Sequence, residues 1–130
     1  MDIAYTRMRM QNYQNEFVDH VEDLLMQFEI TAIKRMFSGF GIYKNNLIFG
    51  FIVDYELYLK ADYDAGQLFQ QNGSEPFKYQ ARGRQIATSY WKVTPEILDD
   101  HGMLMEWCDI SYKSAILMRI QSCNKRKSNF

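Results

Sequence analysis

The run Leu47-Ile48-Phe49-Gly50-Phe51-Ile52-Val53 constrains this chain more than any other segment. It is far shorter than the roughly 20 apolar residues that a bilayer demands, so it reads as a strand rather than a membrane span. Both of its alternating faces are apolar, which calls for a central strand covered on both sides, at least in part, with the Phe49 and Phe51 rings inside. Gly50 marks a place where a neighbour packs closely on the backbone. Turn chemistry brackets the run: Asn45-Asn46 before it and Asp54-Tyr55 after it separate it from Ile42-Tyr43 and from Glu56-Leu57-Tyr58-Leu59-Lys60. Asparagine tolerates positive φ, so Asn45-Asn46 is a hairpin signal. Ala32 to Phe37 adds a further strand, broken by Ser38-Gly39-Phe40-Gly41. These runs together predict an antiparallel meander.

Helical periodicity frames the meander. Tyr13, Phe17, Val21, Leu24, Leu25 and Phe28 recur at three-to-four-residue steps with Asn12 as N-cap, the stripe of an amphipathic helix. Asp19, Glu22 and Asp23 lie off the stripe as a solvated face. Residues 1 to 11 show no period and read as an arm or a fraying helical turn. Asp62 caps a short helix through Leu68 and Phe69 that Asn72-Gly73 ends. Phe77-Lys78-Tyr79 and Gln85 to Val93 form a second hairpin around Arg82-Gly83-Arg84. Thr94-Pro95 starts the next helix, because proline's fixed φ suits the first helical position. A longer helix from about Met103 carries Leu104, Trp107, Cys108, Ser111, Ala115 and Met118 on one side, with residues small enough for close packing. The expectation is one α+β domain over residues 1–124, a two-layer antiparallel sheet backed by helices in the order α-β-β-β-β-α-β-β-α-α, followed by a frayed basic tail over 125–130.

Charge excludes some roles and localises others. With 15 basic against 16 acidic residues the net charge is −1, so the chain as a whole carries no electrostatic signature of a nucleic-acid or membrane surface. Cys108 and Cys123 share the last helix, where fifteen residues at about 1.5 Å each put them roughly 22 Å apart, too far for a disulfide. With no apolar leader among the first residues, the expected setting is a reducing cytoplasm.

The stock of chemistry-bearing residues is poor. His20 and His101, the latter in a linker before the last helix, have no partners at metal-ligand spacing and read as surface histidines. Asp99-Asp100 reads as a cap for the following helix rather than a pair of catalytic carboxylates. Phe37-Ser38-Gly39-Phe40-Gly41 lacks the spacing of a phosphate or dinucleotide loop. No catalytic, cofactor or metal residue is therefore expected. The most asymmetric stretch is residues 76–94, with four basic residues and no acidic one. There Lys78, Arg82, Arg84 and Lys92 lie near Tyr79, Tyr90 and Trp91, a pattern that suits either a solvated strand edge or a partner or nucleic-acid surface.

Several segments in order resemble the N-terminal domain of the TfoX (Sxy) competence-regulator family. They are Arg35-Met36-Phe37-Ser38-Gly39-Phe40-Gly41-Ile42-Tyr43, Phe49-Gly50-Phe51-Ile52, Leu57-Tyr58-Leu59-Lys60, Gly73-Ser74-Glu75-Pro76-Phe77-Lys78-Tyr79, Ser89-Tyr90-Trp91-Lys92-Val93-Thr94-Pro95 and Leu98-Asp99-Asp100. Asp54-Tyr55 stands where relatives often have aspartate-glycine, and Ser38 where glycine is common. The resemblance implies a two-layer fold like that of secretion chaperones and no enzymatic activity. It implies positive regulation of DNA-uptake genes through protein contacts, with the cyclic-AMP receptor protein or the transcription machinery as partner. Longer members carry a C-terminal helical domain, which is expected to be absent here. Two other functions remain open: weak, non-specific nucleic-acid binding through the basic hairpin, and small-ligand binding.

Overall fold

The computed structural model describes residues 16–36 and 38–128, with side chains through Lys125. The Asn12 cap, Tyr13, the arm over 1–11, Phe37 and the last two residues lie outside the described residues. Helix α1 covers residues 16–24 and passes through a 3-10 turn, Met26–Phe28, that Glu29 ends at φ 59°. Six strands follow as β1 (Ala32–Met36), β2 (Gly39–Lys44), β3 (Leu47–Val53), β4 (Glu56–Lys60), β5 (Pro76–Ala81) and β6 (Arg84–Lys92). Helix α2 (Tyr63–Gln71) interrupts them after β4, and α3 (Pro95–Leu98) and α4 (His101–Ser128) close the chain. All pairings are antiparallel, in the spatial order β1-β2-β3-β4-β6-β5. The element order and the α+β class are those the sequence predicts.

Local chemistry accounts for the boundaries. Asp62 Oδ1 accepts from Ala65 N at 2.9 Å, and Thr94 Oγ1 accepts from Ile97 N at 3.4 Å with Pro95 in the first turn, so α2 and α3 begin on side-chain caps. Asp100 Oδ1 accepts from Met103 N at 3.1 Å, which starts α4 at His101 rather than Met103 and places that histidine on the helix, its Nε2 2.7 Å from Gln27 Oε1. Helix α4 runs on through Ser128, so residues 125–128 continue the helix where the sequence suggested a tail. The tight turns Asn45-Asn46, Asp54-Tyr55 and Arg82-Gly83 all have positive φ at both residues, the geometry whose twist matches that of paired strands.

One face of the sheet is sealed by helices. Ile42, Phe49, Ile52, Leu57 and Leu59 meet Val18 and Val21 of α1, Leu25 just after it, and Leu104, Trp107, Cys108 and Ala115 of α4 in a single core. Phe69 of α2 stacks on Trp107 with centroids 4.1 Å apart. Register explains how Phe49 and Ile52 share that face although three residues separate them. Pairing with β2 passes from Tyr43↔Ile48 to Ile42↔Gly50, so Phe49 is the extra residue of a β-bulge and the alternation resets there. The Phe49 carbonyl accepts from the fully buried Ser111 Oγ of α4 at 2.8 Å, which fixes helix to strand at the irregularity. Gly50 fits the close approach expected of it: a Cβ would stand 2.9 Å from the Tyr58 carbonyl oxygen.

Phe51 departs from expectation. It lies on the other face of β3, half-buried, where no helix covers it among the described residues. Phe49→Ala is therefore expected to cost about 3–5 kcal/mol by loss of a fully buried ring, and Phe51→Ala only about 1–2 kcal/mol because part of its surface is already wet. Ser111→Ala, which removes one hydrogen bond from a buried carbonyl that the β3–β4 ladder also reaches, should cost about 0.5–1.5 kcal/mol. Urea titrations of the three variants test the ranking, and equal losses at positions 49 and 51 would show that both faces are sealed.

Candidate functional site

The face opposite the helices is concave and aromatic. Phe51 stacks on Tyr58 at 5.2 Å and meets the edges of Tyr90 at 4.7 Å and Phe77 at 5.1 Å. Phe77 belongs to β5, which two strands separate from β3 in the sheet, so these contacts require the sheet to curl and carry the β5–β6 hairpin over its own face. The curl coincides with an irregular register between Pro76 and Lys78. Thr88 holds the bend: its hydroxyl donates to the Phe77 carbonyl at 2.9 Å and accepts from Tyr90 N at 3.2 Å.

A groove of about 240 Å³ remains between the curled hairpin and the opposite edge of the sheet. Phe51 and Val53 form its floor, Met36 and Gly39 one wall, Phe77 and Tyr79 the other. Two cations with no carboxylate partner among the described residues stand on the same sheet face, outside the groove's own lining. Lys34 shares the groove side of β1 with Met36, and its Nζ lies 5.0 Å from the centre of the Tyr43 ring. Lys60 Nζ lies 5.4 Å from the centre of the Tyr90 ring, and burial lowers its pKa from the ordinary lysine value. Burial is also the main reason that the phenols of Tyr58 and Tyr90 titrate above the ordinary tyrosine value, with the charges of Glu56, Asp54 and Glu75 adding to the effect at Tyr58 and Tyr43 at Tyr90.

The four basic residues singled out in the sequence do not converge. Arg82 sits exposed in the turn, and Ala81 pairs with Arg84, which puts Arg84 on the same hairpin face as Tyr79 and Ile86. Lys78, paired with Ala87, lies on the opposite face. Lys92 is at the far end of β6 and bonds Glu56 at 3.3 Å across the β4–β6 pair. Trp91 leaves the aromatic set as well: it pairs with Leu59 on the helical side, where Gly66 of α2 packs so closely that a Cβ would stand 3.1 Å from the indole. His20 is exposed on α1, and among the described residues no group of three His, Cys, Asp or Glu side chains is placed to hold a metal. Cys108 is buried and its thiol is pushed up to about 12, while Cys123 is exposed farther along the same helix. No helix among the described residues is long and apolar enough to cross a membrane.

Sequence reading missed the groove because its residues come from five strands and meet only through the curl. One signal was available: residues 30–53 hold three basic residues and no acidic one, a second acid-free stretch that forms the wall facing the hairpin.

Fold and site together define a domain with one sheet face sealed by helices and one aromatic face that no helix among the described residues covers. The family model of the TfoX N-terminal domain matches residues 23–115, from α1 into α4 and including every strand. The chain belongs to that family. No curated protein matches it.

The raised phenol values carry a sign. Above about pH 10 the folded state retains protons on Tyr58 and Tyr90 that the unfolded state has lost, so these groups reduce stability as pH rises, while Lys60, shifted the other way, acts in the opposite sense. The Tyr90→Phe variant is expected to lose less stability than the parent on moving from neutral pH to above about pH 10. Parallel denaturant titrations at the two pH values test this, and equal losses would refute the assignment.

Proposed function

We propose that the chain is a competence-regulator module of the TfoX type, a cytoplasmic protein that promotes expression of DNA-uptake genes through protein contacts and performs no catalysis. The family match over residues 23–115 carries this reading. The partner is the cyclic-AMP receptor protein or RNA polymerase, by the resemblance noted above. An open sheet face beside a sealed one supports a binding role, because exposed apolar clusters rimmed by charge mark interaction surfaces. Deleting the gene in its host is expected to lower transcripts of uptake genes, and the tagged protein is expected to co-purify with the receptor protein or the polymerase. Unchanged transcripts would remove the competence assignment.

A nucleic-acid role for the basic hairpin makes a different forecast. Three exposed cations, Lys78, Arg82 and Arg84, would give weak, sequence-insensitive binding with a steep salt dependence. In that case Arg82→Ala with Arg84→Ala would flatten the slope of log K against log salt, with folding intact because both side chains are exposed. On the protein-contact reading neither form binds DNA at physiological salt. Electrophoretic mobility shifts over a salt series separate the two.

A further inference from the structure

We infer that the concave groove is the partner-binding surface and that it takes an acidic peptide segment anchored by one aromatic or large aliphatic side chain. This deepens the protein-contact reading above and rests on it. Size and lining set the anchor: a groove of about 240 Å³ floored by Phe51 and Val53 and walled by Met36 and Phe77 holds one large apolar side chain. Charge sets the flanks. Lys34 stands on the β1 side, Arg84 on the hairpin side and Lys60 beside Tyr90, and none of the three has an ion-pair partner among the described residues. Neither β1, β2 nor the β5–β6 hairpin contains a carboxylate. Acids gather at the Tyr58 end of the floor instead: Glu56, paired with Val53, is held by Lys92, and Asp54 and Glu75 lie in the connections before β4 and β5. Unpaired cations beyond both walls of an apolar slot attract carboxylates on either side of an apolar anchor.

The same details disfavour a nucleobase in the slot. Phe51 and Tyr58 already stack on each other, and Phe77 and Tyr90 both stand at steep angles to Phe51, so the floor offers no pair of parallel ring faces between which a base could insert. Thr88 has its hydroxyl committed to the Phe77 carbonyl and the Tyr90 amide, which leaves a base's polar edge without a partner there.

The probe is a short fluorescein-labelled peptide in which glutamates surround a single phenylalanine, titrated into the full chain and followed by anisotropy and amide chemical shifts. Saturable binding that weakens with salt is expected, with the largest shifts at Met36, Phe51 and Thr88. Each of three changes is expected to weaken it about tenfold: phenylalanine to alanine in the peptide, Tyr79→Ala, and Lys34→Glu with Arg84→Glu. Tyr79, Lys34 and Arg84 are exposed, so these variants keep the core intact. Absence of saturation, indifference to all three changes, or tighter binding of oligothymidylate at the same residues would overturn the inference. Expressing the Lys34→Glu, Arg84→Glu protein in the deletion strain separates this inference from the regulatory reading. Full restoration of uptake-gene transcripts sinks the groove and leaves regulation standing, whereas a deletion without effect sinks regulation and leaves the peptide titration to judge the groove.

Discussion

The hydrogen bond from Ser111 to the Phe49 carbonyl joins the two layers of this protein at the point where its sheet is irregular. The bulge at Phe49 turns that ring into the helical core and resets the alternation, so that Gly50 and Ile52 stay beneath the helices while Phe51 faces away. A regular strand would put Phe49 and Phe51 on the same side, and one layer would lose an anchor. Ser111 is small enough for α4 to lie close, and its hydroxyl is satisfied by donating to the Phe49 carbonyl, as a buried polar group must be. The Phe28, Phe49 and Tyr112 rings gather around this contact, with Lys44 donating to the Phe28 carbonyl at 2.9 Å and its ammonium 3.9 Å from the Phe28 ring centre.

Much of this was legible in the sequence, and the reasons are local. Asn45-Asn46, Asp62 and Thr94-Pro95 act through their own backbone or within three residues, so their turns and caps follow from residue type alone. The core stripe of α4 follows from helical period, with Leu104, Trp107, Cys108, Ser111 and Ala115 all buried. Period also fails in an instructive place. An unbroken apolar run has no wet face from which to count, so a one-residue bulge inside it is invisible, and the pattern alone does not show that Phe51 stays half-exposed. The basic hairpin shows the complementary limit. Nearness in sequence grouped Lys78, Arg82, Arg84 and Lys92, but strand alternation and the Glu56 pair disperse them.

The two faces divide the aromatic residues by task. Trp107, Phe69 and Phe49 are fully buried and supply apolar area to the core. Phe51, Tyr58, Phe77 and Tyr90 pack against one another at centroid distances of 4.7 to 5.2 Å and stay half-exposed. The second group holds the curl of the sheet, and with it the spacing of the groove walls. Stability and groove shape are therefore coupled on that face, and a change to Phe51 or Phe77 alters both.

Strand order also sets how the chain finds its shape. From β1 to β4 every partner is the next strand in sequence, joined by a short connection, so pairing needs little loop closure. The exception is β4 with β6, whose register of Leu59 against Trp91 spans α2 and the whole of β5. Closing that larger loop brings the β5–β6 hairpin alongside the meander, packs Trp91 against Gly66 and completes the aromatic face. That closure carries the largest loop entropy of any pairing in the sheet, and the aromatic face is complete only when it is made.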